Sequence, residues 1–172
     1  TAVISFTAQP KKSTKTLTLQ SGLVCTGSVG SSNYVFSVPE NITASVINGA
    51  ASFNNIQVKE GTFLKKQFIV DGSLDQRFIL DNSFIDSQSI RVYVKGISDS
   101  GDGRLYKKVD NIFQINSTSE IYLLQEVKDE KYELLFGDNI FGKKLENGSI
   151  ITVSYIITDG KAGNGCNAFS FS

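Results

Sequence analysis

The sequence predicts an all-β protein of antiparallel sandwich- or barrel-like modules with very little helix. Three observations carry this. Apolar residues recur with period two along much of the chain, as half-buried antiparallel strands require. Gly, Asn and Asp clusters separate these runs at the short intervals of a sandwich or barrel. No stretch of a dozen residues sustains a 3.6-residue period.

In chain order, strands are expected at Ala2–Thr7, Lys15–Gln20, Asn33–Val38, Ser52–Lys59, Thr62–Val70, Gln76–Leu80, Ser89–Lys95, Ser119–Glu126, Lys131–Phe136 and Ile150–Thr158. In Ser89–Lys95 (SIRVYVK), Ile90, Val92 and Val94 share a face opposite Arg91, Tyr93 and Lys95. In Ile150–Thr158, Ile151, Val153, Tyr155 and Ile157 point inward and Thr152 and Ser154 outward, while Tyr132, Leu134 and Phe136 fall together on the preceding strand. Pro39 suits a first helical turn, so a short helix is expected around Pro39–Val46.

The 172 residues are 40% hydrophobic and 20% charged, a globular composition long enough to bury a core without cysteine staples. No apolar run approaches the ~18 residues of a membrane helix. Methionine is absent even from position 1, which reads as a piece of a longer polypeptide. Histidine is absent as well, so Ser-His-Asp and Cys-His arrangements and His-ligated zinc are excluded within the chain. Cys25 and Cys166 lie 141 positions apart and read as free, partly buried thiols, with a disulfide joining the ends as the alternative. No cofactor is expected.

Seventeen basic residues balance seventeen acids, yet residues 1–70 carry +4 and residues 71–172 carry −4. Neither part is basic enough, or sufficiently interleaved with aromatics, to suggest nucleic acid. The change of sign and the turn Asp71–Asp75 (DGSLD) place a boundary between two consecutive β subdomains, 1–72 and 73–172.

Several segments invite a chemical reading. Ser98–Arg104 (SDSGDGR) resembles part of a calcium loop, but no glutamate follows at the required spacing, and a hairpin turn explains it better. The sequons at Asn41, Asn116 and Asn147 are common by chance in such a composition, and Asn147-Gly148 reads as a tight turn. Asp129, Glu130 and Glu133 could be imagined as a glycosidase acid pair, but they flank a hairpin, where charge is normally solvated. Arg77 opens a strand at the proposed junction. It is either an exposed strand charge or a guanidinium bracing that junction by forked bonds to backbone carbonyls or a carboxylate. Gly137 is expected to need positive φ in the turn after Phe136, with Phe141-Gly142 sending an aromatic ring back across the sheet.

The run from Tyr132 to Asn164 contains Tyr-Glu-x-x-Phe-Gly-Asp-x-x-Phe-Gly-Lys, then Gly-x-x-Ile-x-Val-x-Tyr and Gly-Asn. With Glu60-Gly61-Thr62, Ile69-Val70-Asp71 and Asp75-Gln76-Arg77-Phe78, it resembles the baseplate J-like family of contractile phage tails, in particular the wedge subunit of T-even-like phages. The resemblance covers about residues 56–165, and Asn139 stands where the family commonly has glycine. It implies a non-enzymatic structural protein of the virion tail baseplate, assembled in the host cytoplasm. Its implied partners are other wedge proteins and further copies of itself, with no nucleic acid, membrane or small-molecule substrate. It also implies that Gln76, Arg77, Phe78, Phe136, Gly137, Asp138, Phe141 and Gly142 are framework residues. The charge asymmetry offers Lys11, Lys12, Lys15, Lys65 and Lys66 as one side of a self-contact and Asp129, Glu130 and Glu133 as the other. A carbohydrate-binding or adhesin-type sandwich is the rival reading, though such a module usually shows exposed aromatics or a complete calcium site, and tryptophan is absent.

Overall fold

A computed structural model describes every residue except 112, 114, 161, 162 and 172. The chain is 54% strand and 2% helical. It divides into two compact units: residues 1–64 with 156–172, and residues 65–155. The expected boundary at 72 therefore moves to 64/65, and the subdomains are not consecutive. The reason is pairing: β14 (Phe169–Phe171) returns to lie antiparallel on β3 (Gly22–Val29), which binds the C-terminal segment to the first unit.

The first unit holds β1 (Ala2–Ala8), β2 (Thr16–Leu19), β3, β4 (Ser32–Val38), β5 (Ile42–Ile47), β6 (Ala50–Glu60) and β14, in the order β14-β3-β4-β6-β5-β2 with β1 also paired to β6. Val24, Cys25, Phe36, Val38, Ala51, Phe53 and Val58 form its core. Phe6 stacks on Phe53 with ring centres 4.9 Å apart, and Phe169 meets Phe36 edge-on at 5.1 Å. The helix expected around Pro39–Val46 is not formed. Ile42–Ile47 is β5, and its alternation of half-buried Ile42, Ala44 and Val46 with exposed neighbours fits a strand between β2 and β6. Thr18 and Thr43 share a 2.9 Å cross-strand hydroxyl bond, a pairing the isolated segment could not supply. Both cysteines are free. Burial pushes the Cys25 thiol above its ordinary pKa.

The second sheet is built on β7 (Thr62–Ile69), β8 (Phe78–Leu80), β9 (Arg91–Lys95), β10 (Arg104–Lys108), β11 (Ile121–Val127), β12 (Lys131–Phe136) and β13 (Ile150–Ile157), and the second unit holds all of it but residues 62–64 and 156–157. The sheet runs β7-β13-β9-β10-β11-β12-β8, and a 3-10 turn at Lys128–Glu130 joins β11 to β12. Leu80, Val92, Val94, Tyr122, Leu134, Ile151 and Val153 are its buried centre. Against the antiparallel expectation, β10 runs parallel to β11, made possible by the long connection 109–120. The inward and outward assignment of β13 holds for Ile151, Val153 and Tyr155 but not at its end. Ile156 is fully buried, Ile157 is half-buried and Ser154 is buried, so Val153–Ile156 are buried in succession and the alternation is broken there. Ser98–Arg104 forms the β9–β10 hairpin connection, where Gly101 and Gly103 have positive φ and the Asp99 carboxylate accepts from the Gly96 amide at 2.9 Å.

Candidate functional site

The sequence singled out Gln76–Phe78 and the loop after Phe136, and the second unit brings these segments together. Gln76 acts through its side-chain amide. Its Nε2 donates to the Ile69 carbonyl at 2.7 Å and its Oε1 accepts from the Asp71 amide at 3.0 Å, closing the turn between β7 and β8. Asp71 in turn accepts from the Ser73 amide at 2.8 Å, which holds its carboxyl below the usual carboxylate range. Arg77 makes the forked contact that its planar group allows, with Nε donating to Glu133 Oε1 at 2.7 Å and Nη2 to Oε2 at 2.6 Å. Both residues belong to the second unit, so the fork ties β12 to the segment entering β8 and does not brace the unit boundary. Phe78 meets Phe68 at 5.6 Å and Phe136 at 5.5 Å, both edge-on, and Phe136 meets Tyr106 at 6.0 Å. Edge-to-face rings of this kind attract beyond the area they bury.

The loop Gly137–Lys144 is closed by its own polar groups. Asp138 Oδ1 accepts from the amides of Ile140 at 2.9 Å and Phe141 at 2.8 Å, which lowers its pKa. Asn139 has φ 72° and donates its amide to the Gly142 carbonyl at 2.9 Å, while its side-chain oxygen accepts from the Lys144 amide at 2.9 Å. The positive φ expected at Gly137 falls instead on Asn139 and on Gly142, at 90°. Gly137 is needed for another reason: a Cβ there would lie 2.1 Å from the Gly142 carbonyl carbon and 2.2 Å from its oxygen. Phe141 is 48% exposed beside exposed Ile140, and both their amides are held by Asp138 Oδ1.

The proposed contact residues do not form two simple faces. Lys11, Lys12 and Lys15 are exposed in the first unit, whereas Lys65 and Lys66 belong to the second. Lys66 donates to the Ile79 carbonyl at 3.1 Å and pairs with Asp81. Asp129 and Glu130 are exposed on the 3-10 turn, both at positive φ. Glu133 is not part of that solvated group. It is buried on the face of β12 opposite Leu134, and the Arg77 fork, together with the guanidinium charge, holds its carboxyl below the usual range.

Sequence reasoning missed two further clusters. A polar cleft of about 180 Å³ holds Arg104, whose Nη1 donates to Glu120 at 2.8 Å, with Lys143 Nζ 3.7 Å from the same carboxylate. A wider groove of about 680 Å³ runs past Lys66, Ile79, Asp81, Lys128 and Lys131. These residues are scattered in sequence, and the only available signal was the clustering of Lys128–Lys131 with nearby acids. Among the described residues no group of three or more His, Cys, Asp or Glu could hold a metal ion. The carboxylates of Glu133, Asp138, Asp81 and Glu120 are each held by a cation or by backbone amides, an arrangement suited to fixing loops and strands. No family model matches the chain, and no curated protein matches it.

Proposed function

We propose that the chain is a non-enzymatic structural part of a contractile phage tail baseplate wedge, which assembles through contacts with other wedge proteins and further copies of itself. The observation that carries this reading is the Phe-Gly-Asp-x-x-Phe-Gly pattern. It forms one loop whose glycines touch backbone to backbone and whose Asp and Asn bond its own amides. Those bonds fix the loop, which supports reading these residues as framework. The neighbouring Gln-Arg-Phe run is used in the same manner, as clasp, fork and ring contact. On this reading the protein resides in the virion tail baseplate after assembly in the host cytoplasm.

Immunogold electron microscopy of contractile-tail particles from the source tests the proposal, using an antibody raised against this chain. Label confined to the baseplate end of the tail is expected. Intact tails without label, or specific and saturable binding of the chain on a glycan array, would overturn it in favour of an adhesin-type module.

A further inference from the structure

The polar cleft of about 180 Å³ in the second unit is lined by two buried hydroxyls that the fold leaves unused. Tyr106 and Ser149 are only 4% and 2% exposed, and their hydroxyls bond to nothing among the described residues. No described side-chain polar atom is sealed from solvent without a partner, so both hydroxyls open into the cleft. Buried hydroxyls are normally satisfied, because leaving one unpaired forfeits the bond it made with water. The Tyr106 ring is held edge-on by Phe136, and alternation along β10 puts Arg104 on the same face.

Charge decides what these hydroxyls can hold. Arg104 and Lys143 both lie on the Glu120 carboxylate, at 2.8 Å and 3.7 Å. Asp99 gives one oxygen to the Gly96 amide and keeps the other, and Glu146 has no ion-pair partner among the described residues. Of the cations in the lining only exposed Lys144 remains, and its charge also acts on Asp138. The uncommitted charge of the cleft is therefore negative. Burial first, and then Glu120, push the Tyr106 hydroxyl up to about 12, with Glu146 and Asp99 acting the same way against Arg104.

We propose that this cleft binds a primary ammonium group on a short alkyl stem, its N–H groups shared among the Tyr106 and Ser149 oxygens and the Asp99 and Glu146 carboxylates. An ammonium brings three donors and no acceptor, which suits a site whose spare groups are oxygens. Val94 and Leu145, also in the lining, give the stem apolar contact while its head stays among polar groups. An anion of the same size would meet the spare acids as like charge. The stem can belong to a free amine or to a lysine of a partner protein, the same chemistry from two sources. Neither source requires a baseplate, so the inference stands apart from the functional proposal above.

The probe is n-butylammonium, titrated into the 15N-labelled full chain at neutral pH and low salt. Beside it run lysine blocked at its α-amino and carboxyl ends, butyltrimethylammonium and butyrate. Saturable amide shifts are expected at Gly96, Asp99, Tyr106 and Ser149 with n-butylammonium. Shifts with blocked lysine as well point to a partner's lysine as the source, and shifts with n-butylammonium alone to a free amine. Tyr106→Phe and Glu146→Gln should each weaken binding about tenfold, as loss of a bond to a charged group does. Both changes touch groups that bond to nothing in the cleft itself, so the fold should hold. No saturable shift with n-butylammonium would overturn the proposal. Equal binding of butyltrimethylammonium, which has no N–H to donate, equal binding of butyrate, or unchanged affinity in both variants would overturn it too.

Discussion

Glu133 and Arg77 show how a single pair can be worth more than its surface position suggests. The guanidinium is largely exposed, but the carboxylate it forks is buried on β12. Arg77→Ala strands that carboxylate, so the denaturant midpoint should fall, and Arg77→Lys should recover little because an ammonium cannot reproduce a planar fork. A midpoint unchanged in both variants would return Arg77 to a plain strand charge. The pH dependence follows in sign. The carboxyls of Glu133, Asp81 and Asp138 titrate below their ordinary values in the folded chain, so their stabilisation is present above the unfolded value of about 4 and is lost as pH falls through the folded values. Acid melts should show this loss, reduced in Glu133→Gln. At the other end, burial pushes Tyr106 and Tyr122 up to about 12. Their contribution is complete below the unfolded value of about 10 and is lost as pH rises from there to about 12. Thermal melts in that window should flatten in Tyr106→Phe, and an unchanged slope would show that this hydroxyl does not report burial.

At the scale of elements, the loop between β12 and β13 depends on glycine at a place the backbone angles alone would not reveal. Gly137→Ala, the smallest possible side chain, would meet the Gly142 backbone, so it should cost about 2 kcal/mol or more, in the range of overpacked cores. Asn139→Gly relieves a positive φ but removes the bond to the Lys144 amide, so it should cost less than Gly137→Ala. Urea midpoints compare the two directly, and equal midpoints would show that the glycine–glycine approach is dispensable. β12 itself is pinned on both sides by β11 and β8, and its Leu134 is 1% exposed. Leu134→Ala should therefore cost about 2–5 kcal/mol, as buried truncations do.

For the whole molecule, the tertiary division changes the charge argument. The first unit carries five lysines against Glu40, Glu60 and Asp159, or +2, and the second carries −2, half the asymmetry of the linear halves. Lys66 and Glu133 are also consumed by internal pairs. Exposed pairs are worth about 0–1 kcal/mol each and are screened beyond about 8–10 Å. The isolated chain should therefore sediment as a monomer or a weak associate whose association declines from low to physiological salt. Association that strengthens with added salt would point instead to an apolar interface, for which the exposed Ile140 and Phe141 are the first candidates.

Strand content and the inner face of the long strands were legible from period-two alternation, which survives wherever one regular face is buried, as in Ile90, Val92 and Val94. The framework role of Gln76–Phe78 and of the Phe-Gly-Asp loop was expected from the family resemblance alone. The tertiary structure decided the rest. β3 escaped notice because a register shift between Leu23 and Cys25 buries Val24 and Cys25 in succession and breaks the alternation. β10 escaped because only Tyr106 is buried in it, and β14 because it has three residues. β5 is a strand where Pro39 suggests a first helical turn, since a proline says nothing of the strands waiting on either side. The burial of Glu133 under Arg77 depends on segments distant in sequence meeting in space, and the role of Gly137 on a close approach to Gly142 that no local period shows. No local period encodes which carboxylate an arginine will find, or which two glycines must touch.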